Sequence, residues 1–255
     1  MLLELAGVSR RFGGLLAVAD VSMTVAPGTI HGLIGPNGAG KSTVFNLITG
    51  VIPLTAGRIH FKGERISGLR PSEICRRGIA RTFQATTLFR EYTVLQNVLV
   101  AAHLATTPGL GPALFWSRRY REREQRARDR GRALLDALGL TTVAGQVAGK
   151  LPHRDQKALA LVMALATGAE LVILDEPMAG LAEQEKAETT RVLRRLREQG
   201  VTILLVEHDM KAVMGVCDTV TVLDHGLRIA EGTPREIQTN PAVIEAYLGA
   251  EELGA

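Results

Sequence analysis

Nine consecutive residues, Gly35-Pro36-Asn37-Gly38-Ala39-Gly40-Lys41-Ser42-Thr43, have the spacing that phosphate binding requires. They fit G-x-x-x-x-G-K-[ST], in which glycines let backbone N–H groups curl around phosphate oxygens and accept positive φ. A helix opening directly behind such a turn adds partial positive charge at its N-terminus. Lys41 supplies a mobile cation for β- and γ-phosphates, and Ser42 a hydroxyl for Mg²⁺. A second chemical signal is Leu171-Val172-Ile173-Leu174-Asp175-Glu176-Pro177. Four apolar residues and then two acids place carboxylates at the C-terminal end of a buried strand, where ligands bind in an open α/β sheet. Asp175 suits a water-mediated hold on Mg²⁺, and Glu176 suits orienting or deprotonating an attacking water. A third is Val206-Glu207-His208-Asp209, where His208 leaves an apolar strand at the same edge and can donate to the γ-phosphate or to the water.

These side chains need a scaffold, and the chain is patterned to build one. Ile30 to Ile34 is a short apolar run before the glycine-rich turn, and Val44-Phe45-Asn46-Leu47-Ile48 reads as the helix behind it. Leu2 to about Gly63 reads as short strands with turns, including an alternating strand from Gly57 to Gly63. Roughly 85–166 is mostly helical in pattern. The last third alternates again: buried strands at Leu171–Leu174, Val201–Val206 and Thr219–Leu223, a helix at Glu183–Gln199, and a closing helix at Pro234–Leu248. Strands alternating with helices predict a mostly parallel sheet with helical cover. Two weaker residues complete the set. Gln84 stands where the β-rich part gives way to the helical part, placed to touch both Mg²⁺ and a moving subdomain. Phe12 precedes a strand and is read either as an adenine-stacking ring or as core packing.

Bulk properties bound the alternatives. The 255 residues are 46% hydrophobic and 22% charged, enough for a sizeable core. A net charge of +4 is too mild to select phosphates, membrane or nucleic acid. Cys75 and Cys217 form no C-x-x-C pattern, which argues against a disulfide framework or zinc site. The start, Met1-Leu2-Leu3-Glu4, lacks the marks of a signal peptide. Tyr92 to Ser117 carries no formal charge, but Gln96, Asn97 and His103 interrupt it and Pro108 to Pro112 breaks any helix, so it reads as an apolar loop rather than a span. The run Arg118 to Arg128 mixes signs; its acids would repel a phosphate backbone, so it reads as a solvated helix face with no nucleic-acid partner.

Together and in this order, these residues resemble the ATP-binding subunits of ABC transporters over essentially the whole chain. The resemblance supplies an aromatic loop at Phe12, a Walker A motif at Gly35 to Thr43, a Q-loop at Gln84, a Walker B motif at Leu171 to Glu176 and a switch histidine at His208. The ending, Val206-Glu207-His208-Asp209-Met210, Ala230-Glu231-Gly232-Thr233-Pro234, Asn240-Pro241 and Ala246-Tyr247-Leu248-Gly249, is similar to the branched-chain amino acid importer ATPases. It implies an α/β P-loop NTPase core with an N-terminal antiparallel β-subdomain (1–84 and 167–255) and a helical subdomain (85–166). It further implies ATP and Mg²⁺ as cofactors and an ATPase peripheral to the cytoplasmic face of the membrane. The implied partners are a second ATPase subunit, either a sister chain or a copy, two permease subunits received by residues 85–98, and a solute-binding protein indirectly. Cargo contacts would lie on those other subunits, so amino acids, amides or urea, and small aromatic acids all stand open.

One segment departs from the family. Its signature, L-S-x-G-Q or a close relative, corresponds to Leu151-Pro152-His153-Arg154-Asp155-Gln156. Pro152 brings neither the serine hydroxyl nor an N–H, Arg154 puts bulk where backbone should approach a phosphate, and Asp155 adds negative charge. In a head-to-tail dimer this segment serves the partner's nucleotide, so the expectation is a heterodimer with one impaired site. The loop Met178-Ala179-Gly180-Leu181-Ala182 also lacks the usual final Asp or Asn. Rival readings are a small-molecule kinase using the arginine run as a lid, a non-transport ABC ATPase, and a regulatory ATP-binding protein. Asp175-Glu176 with His208 favours attack by water over transfer to an acceptor.

Overall fold

The computed structural model describes residues 1–82, 88–106, 118–207 and 209–252. The chain divides into two compact units, Met1–Ile74 with Ile173–Ala255, and Cys75–Val172.

The first unit contains two sheets. In the antiparallel one, β1 (Leu3–Phe12) lies between β2 (Leu15–Val25) and β4 (Ala56–Phe61), with β5 (Glu64–Arg65) beyond β4. Leu3 stands opposite both Val25 and Phe61. Alternate residues of a strand share a face, and an irregularity between Leu5 and Val8 shifts the phase so that Leu3, Leu5 and Val8 are all buried.

The second sheet positions the site. Its strands in this unit are β3 (Ile30–Ile34), β7 (Leu171–Asp175), β8 (Thr202–Val206), β9 (Thr219–Asp224) and β10 (Leu227–Gly232), in the order β10-β9-β3-β8-β7. β3 runs parallel to β8 and β9, with Ile30 beside Ile203 and Ile34 beside Val222; β10 returns antiparallel to β9. Every residue of β3 and β8 is buried, as expected for strands covered on both faces. The helices of this unit are α1 (Lys41–Ile48), α6 (Glu183–Glu198), α7 (Met210–Val216), α8 (Pro234–Gln238) and α9 (Pro241–Glu252). In α6, Glu183 and Glu185 occupy the first turn and Arg195 and Arg197 the last, matching the helix dipole, while Leu193 and Leu196 are buried.

The single closing helix expected at Pro234–Leu248 is two helices. Thr233 and Glu236 form a capping box for α8. Pro241 has no N–H to continue that helix, and Asn240 Oδ1 accepts from the Ala242 N–H at 3.0 Å to start a new one. Strand β10 is a further element that the sequence reading left unassigned.

In the second unit, β6 (Ile79–Thr82) follows Gly78, whose O accepts from the Glu170 and Leu171 N–H groups at 2.8 and 3.0 Å. The helices α3 (Val94–Thr106), α4 (Arg118–Ala137) and α5 (His153–Ala166) bury Val94, Val98, Leu135, Leu140, Leu159 and Val162 together. The charge run from Arg118 and the Leu134-Leu135 pair behind it lie on one helix, α4. Buried Asn97 closes the turn before α3, accepting from the Phe89 N–H at 2.9 Å and donating to Phe89 O and Thr93 O at 3.0 Å each. A short helix, α2 (Pro71–Arg76), precedes β6. No helix among the described residues is long and apolar enough to cross a membrane.

Candidate nucleotide-binding site

The glycine-rich turn leaves the end of buried β3 and opens into α1, with the Val44 N–H donating to Gly40 O at 2.9 Å. Gly35 has φ +150, and a Cβ there would sit 2.0 Å from Leu223 O at the end of β9. Only glycine allows the turn to pass so close to the neighbouring strand. The turn Asp224–Gly226 after β9 also touches the loop, its Gly226 N–H donating to Ala39 O at 3.1 Å. From the C-terminal helix α9, Tyr247 meets Gly35: the Gly35 N–H donates to the phenol oxygen, whose pKa burial pushes up to about 12.

Lys41 is 6% exposed and folds back on its own loop, donating from Nζ to Gly35 O at 2.7 Å and Pro36 O at 2.8 Å. Burial lowers its pKa, and the carboxylates of Glu176 and Asp175 oppose that shift. Cation and acids of the two motifs thus share one electrostatic neighbourhood. Neutral carbonyls now hold Lys41 where a triphosphate would offer anionic oxygens, a stronger class of acceptor.

Asp175 ends β7 and Glu176 follows at φ +50, a left-handed conformation that costs a non-glycine residue about 1–3 kcal/mol. The surroundings impose it. Glu176 N–H donates to Val206 O at 3.0 Å, and Glu176 O accepts from the Ala179 N–H at 3.3 Å. The acid that would aim a water is therefore held in a strained backbone by the end of β8. Next to it, Glu207 is 3% exposed and accepts from the Met178 N–H at 2.5 Å. Asp209 caps α7 through the Ala212 N–H at 3.1 Å, and its other oxygen takes Lys186 Nζ at 2.6 Å. His208, between those two acids in sequence, and Gln84 lie outside the described residues.

No group of three or more His, Cys, Asp or Glu among the described residues could hold a metal ion. Mg²⁺ shared with a ligand takes one or two protein oxygens plus phosphates and waters. Ser42, in the first turn of α1, and Asp175 are the oxygens the two motifs offer. Phe12 is 43% exposed at the end of β1, with the Arg10 guanidinium 4.5 Å from its ring centroid, so it is not a core residue. In the second unit, Pro152 is the N-cap of α5 and makes no side-chain cap; His153 and Arg154 are exposed in the first turn. Gln156 closes that turn, its side chain donating to Leu151 O at 2.8 Å.

A model of the ABC transporter family matches residues 18–179, and one described as branched-chain amino acid ATP-binding cassette transporter matches residues 228–252. The chain is 44% identical over 249 residues to the high-affinity branched-chain amino acid transport ATP-binding protein LivG of Escherichia coli K12, covering 97% of this chain and 98% of that one. The chain belongs to the ABC transporter family. A probable LivG from Archaeoglobus fulgidus is 34% identical over 253 residues, covering 98% and 96% of the two chains. Among solved structures, an ABC transporter's ATP-binding cassette in its ADP conformation superposes with a TM-score of 0.84 at 30% identity, covering 97% of this chain and 98% of that one. A nucleotide-free cassette gives 0.83 at 30% identity, covering 96% and 98%. The α/β core with its antiparallel β-subdomain is thus the ABC ATPase fold. Within it, the sequence reading named Glu176 and Lys41 but gave no role to Glu207, Asp209, Lys186 or Tyr247. The signals were present for two of them: an acid directly after an apolar strand, and an acid at a helix N-cap.

Proposed function

We propose that this chain hydrolyses ATP to drive an importer of branched-chain amino acids, seated peripherally on the cytoplasmic face of two permease subunits. The observation that carries the reading is the glycine cradle with Lys41 buried in it and electrostatically tied to Asp175 and Glu176. The cargo rests on the whole-length similarity to the LivG proteins and on the match at residues 228–252.

The triphosphate enters the cradle and draws Lys41 Nζ away from Gly35 O and Pro36 O onto phosphate oxygens. The α1 N-terminus and the loop N–H groups hold those oxygens. Ser42, Asp175 and, by family resemblance, Gln84 would hold Mg²⁺, which would supply neutralisation of phosphate charge. Glu176 accepts a hydrogen bond from the water that attacks the γ-phosphorus, and His208 donates to the γ-phosphate. The bond from phosphorus to the bridging oxygen breaks, leaving ADP and inorganic phosphate.

This half-site is intact and the segment Leu151–Gln156 is not, which favours a heterodimer with a sister ATPase. Losing two hydrogen bonds to a charged phosphate removes about 3–6 kcal/mol at the partner's site. ATP turnover of the chain alone and mixed with its sister subunit tests this. The mixture should turn over quickly and the chain alone slowly, and Glu176→Gln should abolish turnover while ATP still binds. Fast turnover by the chain alone would refute the asymmetry, and absence of ATP binding would refute the whole reading.

A further inference from the structure

We propose that Lys186 and Glu207 are positioning residues for Glu176, locking the loop after β7 to the exit of β8. The inference rests on the reading of Glu176 as the residue that holds the attacking water. Three ties join the two exits in order. Glu176 N–H donates to Val206 O at 3.0 Å, Met178 N–H to Glu207 Oε1 at 2.5 Å, and Lys186 Nζ to Asp209 Oδ2 at 2.6 Å. The first is a main-chain bond that any residues could make. The other two need particular side chains.

Glu207 is a carboxylate at 3% exposure, one residue past a strand whose five members are all buried. Burial of an acid is costly unless hydrogen bonds offset it, so its presence there calls for a reason beyond packing. Its bond to Met178 supplies one: it fixes the backbone two residues beyond the strained Glu176. Asp209 does two things at once, capping α7 with one oxygen and receiving Lys186 with the other. Lys186 also reaches Glu183 at 2.9 Å, so the first turn of α6 is anchored with it. The stretch 176–186 is thereby gripped at both ends and in between by residues 206, 207 and 209, the neighbours of His208 in sequence. A water-aiming carboxylate loses much of its effect when displaced by about 1 Å. The ties act on its place through bonds within the chain.

The test uses the chain assembled with its sister ATPase and permeases. Variants Lys186→Met, Lys186→Arg, Asp209→Asn and Glu207→Leu are compared for kcat, ATP Kd and thermal unfolding. Asparagine caps a helix as well as aspartate, so Asp209→Asn removes the ion pair and keeps the cap. Lys186→Met, Asp209→Asn and Glu207→Leu should each lower kcat by about tenfold and leave ATP Kd within about twofold. Lys186→Arg, which retains the pair, should restore turnover. The idea is overturned if kcat stays within about twofold of wild type in all three, or if kcat and unfolding temperature fall while ATP Kd rises, as for plain loss of structure. Glu176→Gln separates the two levels. If wild type turns over and Glu176→Gln does not, the ATPase reading stands and the variants judge the ties alone; a wild-type assembly that binds ATP without hydrolysing it overturns both.

Discussion

Replacing Gly35 by alanine should disable the cradle by forcing two strands apart. The new Cβ would stand 2.0 Å from Leu223 O and 3.0 Å from the Ala39 Cβ, at a φ of +150. The nearer atom is backbone at the next-to-last residue of β9, so no rotamer change relieves the contact. Overpacking of this kind costs about 1–3 kcal/mol, and the left-handed φ about 1–3 kcal/mol more. A loss of about 2–6 kcal/mol is a large part of the roughly 5–15 kcal/mol that holds a domain folded. Gly38 provides the control. It also has positive φ, +79, but a Cβ there meets nothing within 4 Å, so Gly38→Ala should cost only about 1–2 kcal/mol of backbone strain. Urea unfolding followed by circular dichroism reads both variants, and titration with a fluorescent ATP analogue reads the cradle. Gly35→Ala should unfold at clearly lower urea than Gly38→Ala and bind ATP far more weakly. Equal losses in the two variants, or a loss below about 1 kcal/mol at Gly35, would refute the argument that the close approach to β9 sets this position.

In the proposed heterodimer, restoring the signature with Pro152→Ser and Arg154→Gly should raise the number of ATP molecules hydrolysed per dimer in a single turnover, because the partner's γ-phosphate would gain a hydroxyl and a close N–H; quench-flow counting of ADP decides it. His31 is buried in β3, and Thr221 donates its hydroxyl hydrogen to Glu231 at 3.0 Å, so His31 Nε2 must be the donor in its 2.8 Å bond to Thr221 Oγ1. Burial holds the His31 pKa down at about 4, against 6.5. The unfolded chain therefore binds more protons between those values, and stability should fall as pH drops from 6.5 towards 4 by about 3 kcal/mol, a slope that urea unfolding should find flattened in His31→Gln. Tyr247→Phe removes the acceptor of the Gly35 N–H and should weaken ATP binding by about two- to tenfold, the value of one hydrogen bond, in the same fluorescent titration.

What was legible in the chain was whatever chemistry constrains locally. The cradle needs glycines and a lysine in fixed spacing, and β7 needs four apolar residues before its acids, so both could be read from adjacent residues. The run Arg118 to Arg128 reads as a helix face, but nothing local marks that the helix continues to Ala137 as one α4. The apolar pattern runs a single helix across Asn240-Pro241, although a proline without N–H and an Asn able to cap are a local stop signal. Phe12 reads from the sequence as either adenine stacking or core packing; at 43% exposure, with Arg10 against its ring, it is not a core residue.

The illegible part is non-local and has one cause. Lys186 and Asp209 are 23 residues apart, Met178 and Glu207 are 29, and Tyr247 comes to Gly35 only because β9, β10, α8 and α9 intervene. No periodicity encodes such pairs, since each is created by strand order. Once β8 lies between β3 and β7, the residues leaving β7 and β8 run side by side, and among the described residues Glu207 joins the Met178 N–H and Asp209 joins Lys186 across them. The strand order that brings Lys41 within the field of Glu176 is the same order that makes those ties possible. A substitution that weakened the ties should therefore alter the placement of Glu176 while leaving the cradle's grip on phosphate intact, which is why a kcat loss at constant ATP affinity is the decisive signature.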